Sequence, residues 1–358
     1  MRIALFGFPM TGKSTVFSLL TGLEPPSHAA RGEIVVGVSK VPDPRLDRLS
    51  DIYRPKKFTP ATVEYIDLAG IEKGEAATGL PIDKLRTADA LAHVVRGFRD
   101  DDVHHVEDTI DPRRDWETME TELLLADHTV AERRVGRLEE LVGKPNREDE
   151  RRELELLRKC LDALERGEPL RNTDLSDEER RRVRGFAFLT MKPLLVIVNA
   201  DEADGALLDR GPEAFGLEEA AARPDTEVVA MSAKIEAEIA HLDRENAEEF
   251  RADLGITEPA LDRVIRASYR LLGKISFFTV GEDECRAWTI RRGSSARGAG
   301  GAVHTDIERG FIRAETVAYD DLVTVGSWAA CRDKGTVRIE GKDYIVRDGD
   351  VIDFRFNV

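Results

Sequence analysis

Cysteine is scarce in this sequence: Cys160, Cys285 and Cys331 stand far apart, with no C-x-x-C pair. That leaves neither a disulfide framework nor a zinc ligand set; it suits a reducing compartment, with each thiol expected as a small buried apolar group. Long hydrophobic runs are missing too. The longest aliphatic stretch, Leu194 to Val198, is far too short to cross a bilayer, and a core strand is expected from the first residues, so no membrane partner and a cytoplasmic location are expected. Excess positive charge is absent: 53 Lys and Arg face 69 Asp and Glu, a formal net charge of −16. A general electrostatic grip on nucleic acid needs a basic surface that releases counterions, so DNA is not an expected partner and any RNA contact must be local. No internal repeat or low-complexity segment occurs.

What is present starts at once. Gly7-Phe8-Pro9-Met10-Thr11-Gly12-Lys13-Ser14-Thr15 follows an apolar strand, Ile3-Ala4-Leu5-Phe6, and opens a helical pattern, Val16-Phe17-Ser18-Leu19-Leu20. The G-x-x-x-x-G-K-S spacing therefore stands in strand-to-helix context, which marks a phosphate-binding loop. Its glycines let backbone N–H groups converge on phosphate oxygens at a helix N-terminus. Lys13 reaches the β- and γ-phosphates, and Ser14 holds magnesium.

The 358 residues, 41% of them hydrophobic, suffice for two or three domains. Residues 1–114 alternate strands and helices, including Ala61-Thr62-Val63-Glu64-Tyr65-Ile66 and Ala90-Leu91-Ala92-His93-Val94-Val95, which predicts an α/β domain with a parallel sheet. Residues 115–184 switch to charged helix formers. Apolar positions at Ala131, Val135, Leu138 and Val142, then Leu154, Leu157, Leu161 and Leu164, give one stripe per helix, and Gly143-Lys144-Pro145-Asn146 interrupts them. An antiparallel helical hairpin with a solvated charged face follows. The α/β pattern resumes at 185–274, so the hairpin is read as an insertion. Residues 275–358 read as a small, strand-rich α+β domain.

Asp67-Leu68-Ala69-Gly70 ends the strand at 61–66 and supplies D-x-x-G: an aspartate facing magnesium through water, and a Gly70 N–H for the γ-phosphate. Asn199-Ala200-Asp201-Glu202 stands where a GTPase carries N-K-x-D. Glu202 is a methylene longer than the guanine-reading aspartate, and Ala200 lacks the lysine stem, so guanine donors would be left unpaired and adenine is favoured. Either the Asn199 oxygen or a nearby carbonyl accepts from the adenine N6, or Asp201 reads the base in a shifted register. Ser232, Ala233 and Lys234 supply N–H groups beside the base.

These motifs together, with Ser232-Ala233-Lys234-Ile235-Glu236-Ala237-Glu238, resemble the Obg-like ATPases of the YchF family. Val41-Pro42-Asp43-Pro44-Arg45-Leu46-Asp47, His93-Val94-Val95-Arg96, Arg286-Ala287-Trp288-Thr289, His304-Thr305-Asp306, Gly310-Phe311-Ile312-Arg313-Ala314-Glu315 and Gly341-Lys342-Asp343-Tyr344-Ile345-Val346 extend the resemblance essentially end to end. It implies a Ras-like P-loop nucleotide domain with the inserted hairpin and a C-terminal TGS domain of ubiquitin-like β-grasp fold. It further implies ATP preferred over GTP, Mg2+ held by Ser14 and Asp67, and association with ribosomal RNA and proteins through the TGS domain and hairpin; a monomer is expected.

Where Ras-type enzymes carry a water-orienting glutamine, this chain has Ile71. In the family a histidine takes that role, and the match of Asp101-Asp102-Val103-His104-His105-Val106 places it at His105; His93 reads as structural. Met10 stands where the family has a potassium-coordinating asparagine, which puts potassium dependence in doubt. Arg31 replaces a magnesium-reaching threonine, and the second switch, from Ile71 to Thr87, is shortened. Weak, partner-stimulated ATP hydrolysis controlling ribosome docking in translation or stress is the leading reading. A non-hydrolysing nucleotide sensor and a GTPase of ribosome assembly are the alternatives. The run from Arg291 to Gly301 reads as a flexible basic loop, solvated on its residues alone and against ribosomal RNA by what the resemblance implies, and Trp288 as core.

Overall fold

The computed structural model describes residues 1–23, 34–68, 82–103, 105, 108–202, 208, 211–256 and 258–357. Arg31, Gly70, Ile71 and His104, named above, lie outside the described residues, as does most of the second switch. The chain divides into two compact units, residues 1–39 with 64–271 and residues 40–63 with 272–358.

In chain order, β1 (Arg2–Phe6), α1 (Lys13–Thr21) and β2 (Ile34–Lys40) open the first unit, and α2 (Pro44–Tyr53) and β3 (Lys57–Thr59) belong to the second. The first then takes in β4 (Thr62–Leu68), α3 (Ile82–Leu85), β5 (Ala90–Gly97), α4 (Pro112–Leu141), α5 (Glu148–Glu165), α6 (Asp177–Val183), β6 (Leu194–Ala200), α7 (Glu218–Ala222), β7 (Thr226–Met231), α8 (Ala233–Ala240), α9 (Arg244–Asp253) and α10 (Ala260–Leu271). β8 (Lys274–Thr279), β9 (Glu284–Arg291), α11 (Ala296–Val303), α12 (Thr305–Arg309), β10 (Phe311–Ala318), α13 (Tyr319–Val325), α14 (Trp328–Asp333), β11 (Arg338–Glu340) and β12 (Asp350–Phe356) complete the second.

The first unit is built on a sheet of order β2-β4-β1-β5-β6-β7, parallel from β4 through β7. Burial on both faces explains why β5 and β6 read as continuous apolar runs rather than alternating ones. After β1 the chain first builds toward β4 and later toward β5. That reversal opens a crevice at the C-terminal end of β1, where α/β sheets bind ligands.

α4 runs for 30 residues, about 45 Å at the helical rise. Asp111 caps it by accepting from the Arg114 N–H, and Pro112 fills its first turn. His128 near the middle of α4 pairs with Glu165 at the end of α5, whereas Arg134 and Glu139 farther along α4 pair with Glu153 and Arg158 nearer the start of α5, so the two helices run antiparallel. Ala131, Val135, Leu138, Leu154, Leu157 and Leu164 form the buried seam between them. These exposed pairs add little, and the seam carries the hairpin.

Its charges are not all solvated. Asp127 is fully buried and accepts from the backbone N–H groups of Leu189 (3.0 Å) and Thr190 (2.7 Å), the Thr190 hydroxyl (2.9 Å) and the Arg86 guanidinium (2.9 Å). Glu120, also buried, pairs with Arg171 and with Arg223 at 3.1 Å. This polar cluster ties α4 to the segment that leads into β6.

The second unit carries a mixed sheet of order β11-β10-β12-β8-β9-β3. β8 and β9 form an antiparallel pair, β12 runs parallel to β8, and β10 lies antiparallel to β12 and β11. β3 joins the edge parallel to β9, Phe58 opposite Cys285. Residues 40–63, expected with the nucleotide domain, thus group elsewhere. Arg45 at the start of α2 shows why: it pairs with Asp348 at 2.9 Å and lies 5.3 Å over the Phe278 ring. Pairing of this kind across hundreds of residues leaves no local pattern.

The expected flexible loop from Arg291 to Gly301 is corrected. Arg291 ends β9, Ser295 caps the following helix through the Gly298 N–H, and Ala296–Val303 form α11. Its glycines are there for packing: a Cβ on Gly300 would fall 2.7 Å from Ile307 Cγ2. Trp288 is half-buried, stacked on Phe277 and donating to Thr279 Oγ1 at 2.9 Å. All three cysteines are buried and unpaired, and burial pushes the Cys160 thiol up to about 11. No described helix is long and apolar enough to cross a membrane.

Replacing Asp127 by Ala strands two backbone donors and the Arg86 charge. The loss expected is about 3 kcal/mol of unfolding free energy, read as a lower urea midpoint at unchanged slope.

Candidate functional site

The loop between β1 and α1 turns at three left-handed or unusual positions. Gly7 has φ of 142°, Met10 61° and Gly12 88°. A Cβ on Gly7 would lie 2.5 Å from the Val94 carbonyl oxygen, and one on Gly12 would lie 2.4 Å from Asn199 Nδ2. Only glycine fits at these two places. Met10 tolerates its conformation with an exposed side chain, at 58%. Pro9 is half-buried, Thr11 is buried with its hydroxyl donating to the Phe8 carbonyl, and Thr15 is exposed on α1.

Lys13 is 6% exposed, and its ammonium donates to the Phe8 carbonyl at 2.5 Å. Burial pushes it down to about 8, with the Asp67 carboxylate pulling the other way. Ser14 donates to Asp67 Oδ2 at 3.0 Å, so the loop and the end of β4 meet as the two motifs require. Asp67 Oδ1 is buried with no hydrogen-bond partner, and burial raises this carboxyl against the Ser14 hydrogen bond and Lys13. A hydroxyl and a carboxylate with one oxygen unsatisfied are hard donors of the kind Mg2+ takes, so the residues present fit that ion. Beneath the loop His93 stacks on Phe6 at 4.9 Å; burial, helped by Lys13, pushes its imidazole down to about 3 and keeps it neutral.

Asn199 is a brace. Its Nδ2 donates to the Thr11 carbonyl at 3.1 Å, and its Oδ1 accepts from the Ala233 N–H at 2.9 Å. One side chain at the end of β6 therefore links the phosphate loop to the first residue of α8. Ser232 caps α8 by accepting from Ile235 N–H, while Glu202 pairs with Lys234 at 2.8 Å, both exposed. Asp201 accepts from the Arg99 N–H at 3.0 Å.

His105 is buried, with Nε2 2.8 Å from Asp115 Oδ2 in the first turn of α4; Arg114 flanks the same carboxylate at 2.8 Å. The loop before it is shaped by Arg96, whose guanidinium donates to the carbonyls of Phe98, Asp100 and Val103. The Arg96 and Asp115 contacts escaped the sequence reading, since nothing local says that an arginine at a strand end will wrap the following turn. The structure brings Gly7, Gly12, Lys13, Ser14, Asp67, Asn199 and Ala233 together. Gly70 lies outside the described residues.

A family described as "50S ribosome-binding GTPase" matches residues 2–126, and the YchF GTPase C-terminal family, described as a protein of unknown function, matches residues 274–357. Proteins called "Ribosome-binding ATPase YchF" from Bacillus subtilis strain 168 and Escherichia coli O157:H7 are each 42% identical; the match covers all of this chain and 100% and 99% of theirs. The chain belongs to the YchF family. A solved YchF structure, that of the Schizosaccharomyces pombe YchF GTPase, superimposes with a TM-score of 0.87 at 30% identity, over 99% of this chain and 97% of that one. The YchF fold here is thus mixed α/β, with a P-loop GTPase-type domain and a distinct C-terminal domain.

The depressed Lys13 ammonium sets a test. Nucleotide phosphates favour its charged form, so binding at pH 8 should draw in about half a proton, and affinity should fall as pH rises through 8. Calorimetric titrations in buffers of different ionisation enthalpy read the uptake, and Lys13→Met should abolish it.

Proposed function

We propose that this protein is a nucleoside triphosphatase that prefers ATP, turns over slowly alone and docks on ribosomes in a nucleotide-dependent way. The observation that carries it is the joined Lys13, Ser14 and Asp67 cluster in a chain 42% identical, end to end, to proteins called ribosome-binding ATPases. Lys13 and the loop amides hold the phosphates, and Ser14 and Asp67 hold Mg2+, which supplies charge neutralisation on the phosphoryl oxygens when bound.

Base preference follows from what is occupied. Guanine recognition wants a carboxylate presented to N1–H and N2; Glu202 is instead paired with Lys234, and Asp201 is held by the Arg99 N–H. Asn199 already serves Thr11 and Ala233, so the adenine amino group is met by backbone carbonyl rather than by a dedicated side chain. Met10 presents no side-chain oxygen, which supports turnover without potassium.

For the water-positioning role we retain His105. With Asp115 accepting from Nε2–H, Nδ1 would be the ring nitrogen that accepts a hydrogen bond from the attacking water. We assign the antiparallel pair α4–α5 as the inserted hairpin and the second unit as a TGS domain of β-grasp type. The strand order β9-β8-β12-β10-β11, with the central neighbours β8 and β12 parallel, supports the latter. The hairpin and TGS domain are the proposed ribosome contacts, with the protein a cytoplasmic monomer.

Side-by-side titration and turnover with ATP and GTP decide the base preference. ATP should bind at least about tenfold tighter, a difference of about 1.4 kcal/mol, and hydrolysis should rise on adding ribosomes and be the same in potassium and sodium. Equal GTP affinity would reverse the base assignment. Separately, His105→Ala should lower kcat by about a hundredfold while leaving ATP affinity within about twofold, measured by single turnover and nucleotide titration.

A further inference from the structure

One buried carboxylate in the second unit organises three exposed arginines. Glu315 on β10 is 6% exposed, yet its oxygens accept from Arg355 Nε (3.2 Å) and Nη2 (3.4 Å), Arg332 Nη2 (2.9 Å) and Arg313 Nη2 (3.3 Å). The arginine side chains themselves are 48%, 59% and 46% exposed for Arg313, Arg332 and Arg355. Strand register explains the grouping. Arg313 pairs with Arg355 and Glu315 with Asp353 across β10 and β12, and Glu315 pairs with Ile339 of β11, so all five share one sheet face. The alternate residues, Ala314, Ile352 and Phe354, go into the core. Arg332 reaches the same face from α14.

Each guanidinium has five donors in a planar fork; Arg313 and Arg332 each engage Glu315 through Nη2 alone, and Arg355, bound by both Glu315 and Asp353, keeps its Nη1 donors outside these contacts. The carboxylates fix the forks in place without neutralising them: three positive charges face two negative ones. The charge setting agrees. Residues 272–358 hold thirteen Lys and Arg against fourteen Asp and Glu, close to neutral in a chain of net charge −16. The chain's acidity therefore lies in the other residues, and this face is a local exception of positive sign. Ile339, 68% exposed, adds an apolar spot beside the arginines.

We infer that this sheet face of Arg313, Arg332 and Arg355 is the surface by which the C-terminal unit grips the phosphodiester backbone of structured RNA. The inference rests on the ribosome-docking reading and gives it a surface other than the glycine-rich stretch at 296–303. Preformed arginine forks match phosphate bidentately, and a row of them along two paired strands suits the broad, shallow groove of an RNA helix, where recognition is by shape and backbone.

The test uses the full-length protein with two probes, bacterial 70S ribosomes and deproteinised ribosomal RNA. The triple variant Arg313→Gln, Arg332→Gln, Arg355→Gln should bind the naked RNA at least about tenfold more weakly at 0.1 M salt. Its dependence of log affinity on log salt should flatten by about two to three units, one per lost phosphate contact. Unchanged ATP affinity and unfolding midpoint show that the variant is folded. Should it not fold, adding Glu315→Gln removes the carboxylate left without partners, and the same losses are expected of that variant. A folded variant with wild-type affinity and slope overturns the inference while ribosome docking stands. Wild-type protein that binds ribosomes but not naked RNA overturns it in favour of a protein contact. Wild-type protein that binds neither probe, in any nucleotide state, takes down the docking reading as well.

Discussion

Two missing Cβ atoms allow the phosphate loop to close. Gly7 lies against the Val94 carbonyl and Gly12 against the Asn199 amide, at separations no side chain survives. Strand β5, strand β6 and the loop after β1 can therefore converge on one point at the end of the sheet. The Asn199 hydrogen bonds to Thr11 and Ala233 exist only because Gly12 lets its amide come that near. The start of α1, the end of β6 and the start of α8 are held by one contact set, whose rigidity comes from backbone sterics rather than from strong bonds.

The same closeness shapes the electrostatics. A lysine, an aspartate and a histidine are all buried within reach of one another, and burial moves each toward its neutral form. A bound polyphosphate with its magnesium ion would favour the charged forms of Lys13 and Asp67 again. His93, neutral and stacked on Phe6, lets the loop rest on an uncharged floor.

Much of the site was legible because its determinants are short. G-x-x-x-x-G-K-S between a strand and a helix, and an aspartate closing the next parallel strand, are local patterns, and the structure joins them through Ser14 and Asp67. The helical stripes at Ala131 to Leu138 and Leu154 to Leu164 were legible for the same reason: period 3.6 is imposed by the helix itself. What escaped was decided at long range. Asn199 was read toward the base, whereas its partners are Thr11 and Ala233, set by tertiary approach. Gly298, Gly300 and Gly301 suggested a loop, and packing of α11 on Ile307 and Phe354 overrode that propensity. Asp127 and Glu120 looked like solvated helix charges, since nothing in their neighbourhood announces Arg86, Arg171 or two waiting backbone donors.

The excursion of residues 40–63 has a bearing on how this chain can be cut or recombined. β2 and β4 belong to the nucleotide sheet, yet the chain between them contributes β3 to the edge of the other sheet and docks α2 there through Arg45. The two units are interlaced in sequence rather than strung end to end. A fragment beginning near residue 272 lacks an edge strand, and a fragment ending there carries a helix and strand whose partners are gone. Exchange of the C-terminal segment between relatives must therefore carry residues 40–63 along with it, so these two stretches are bound to evolve as one inherited block despite more than two hundred residues between them.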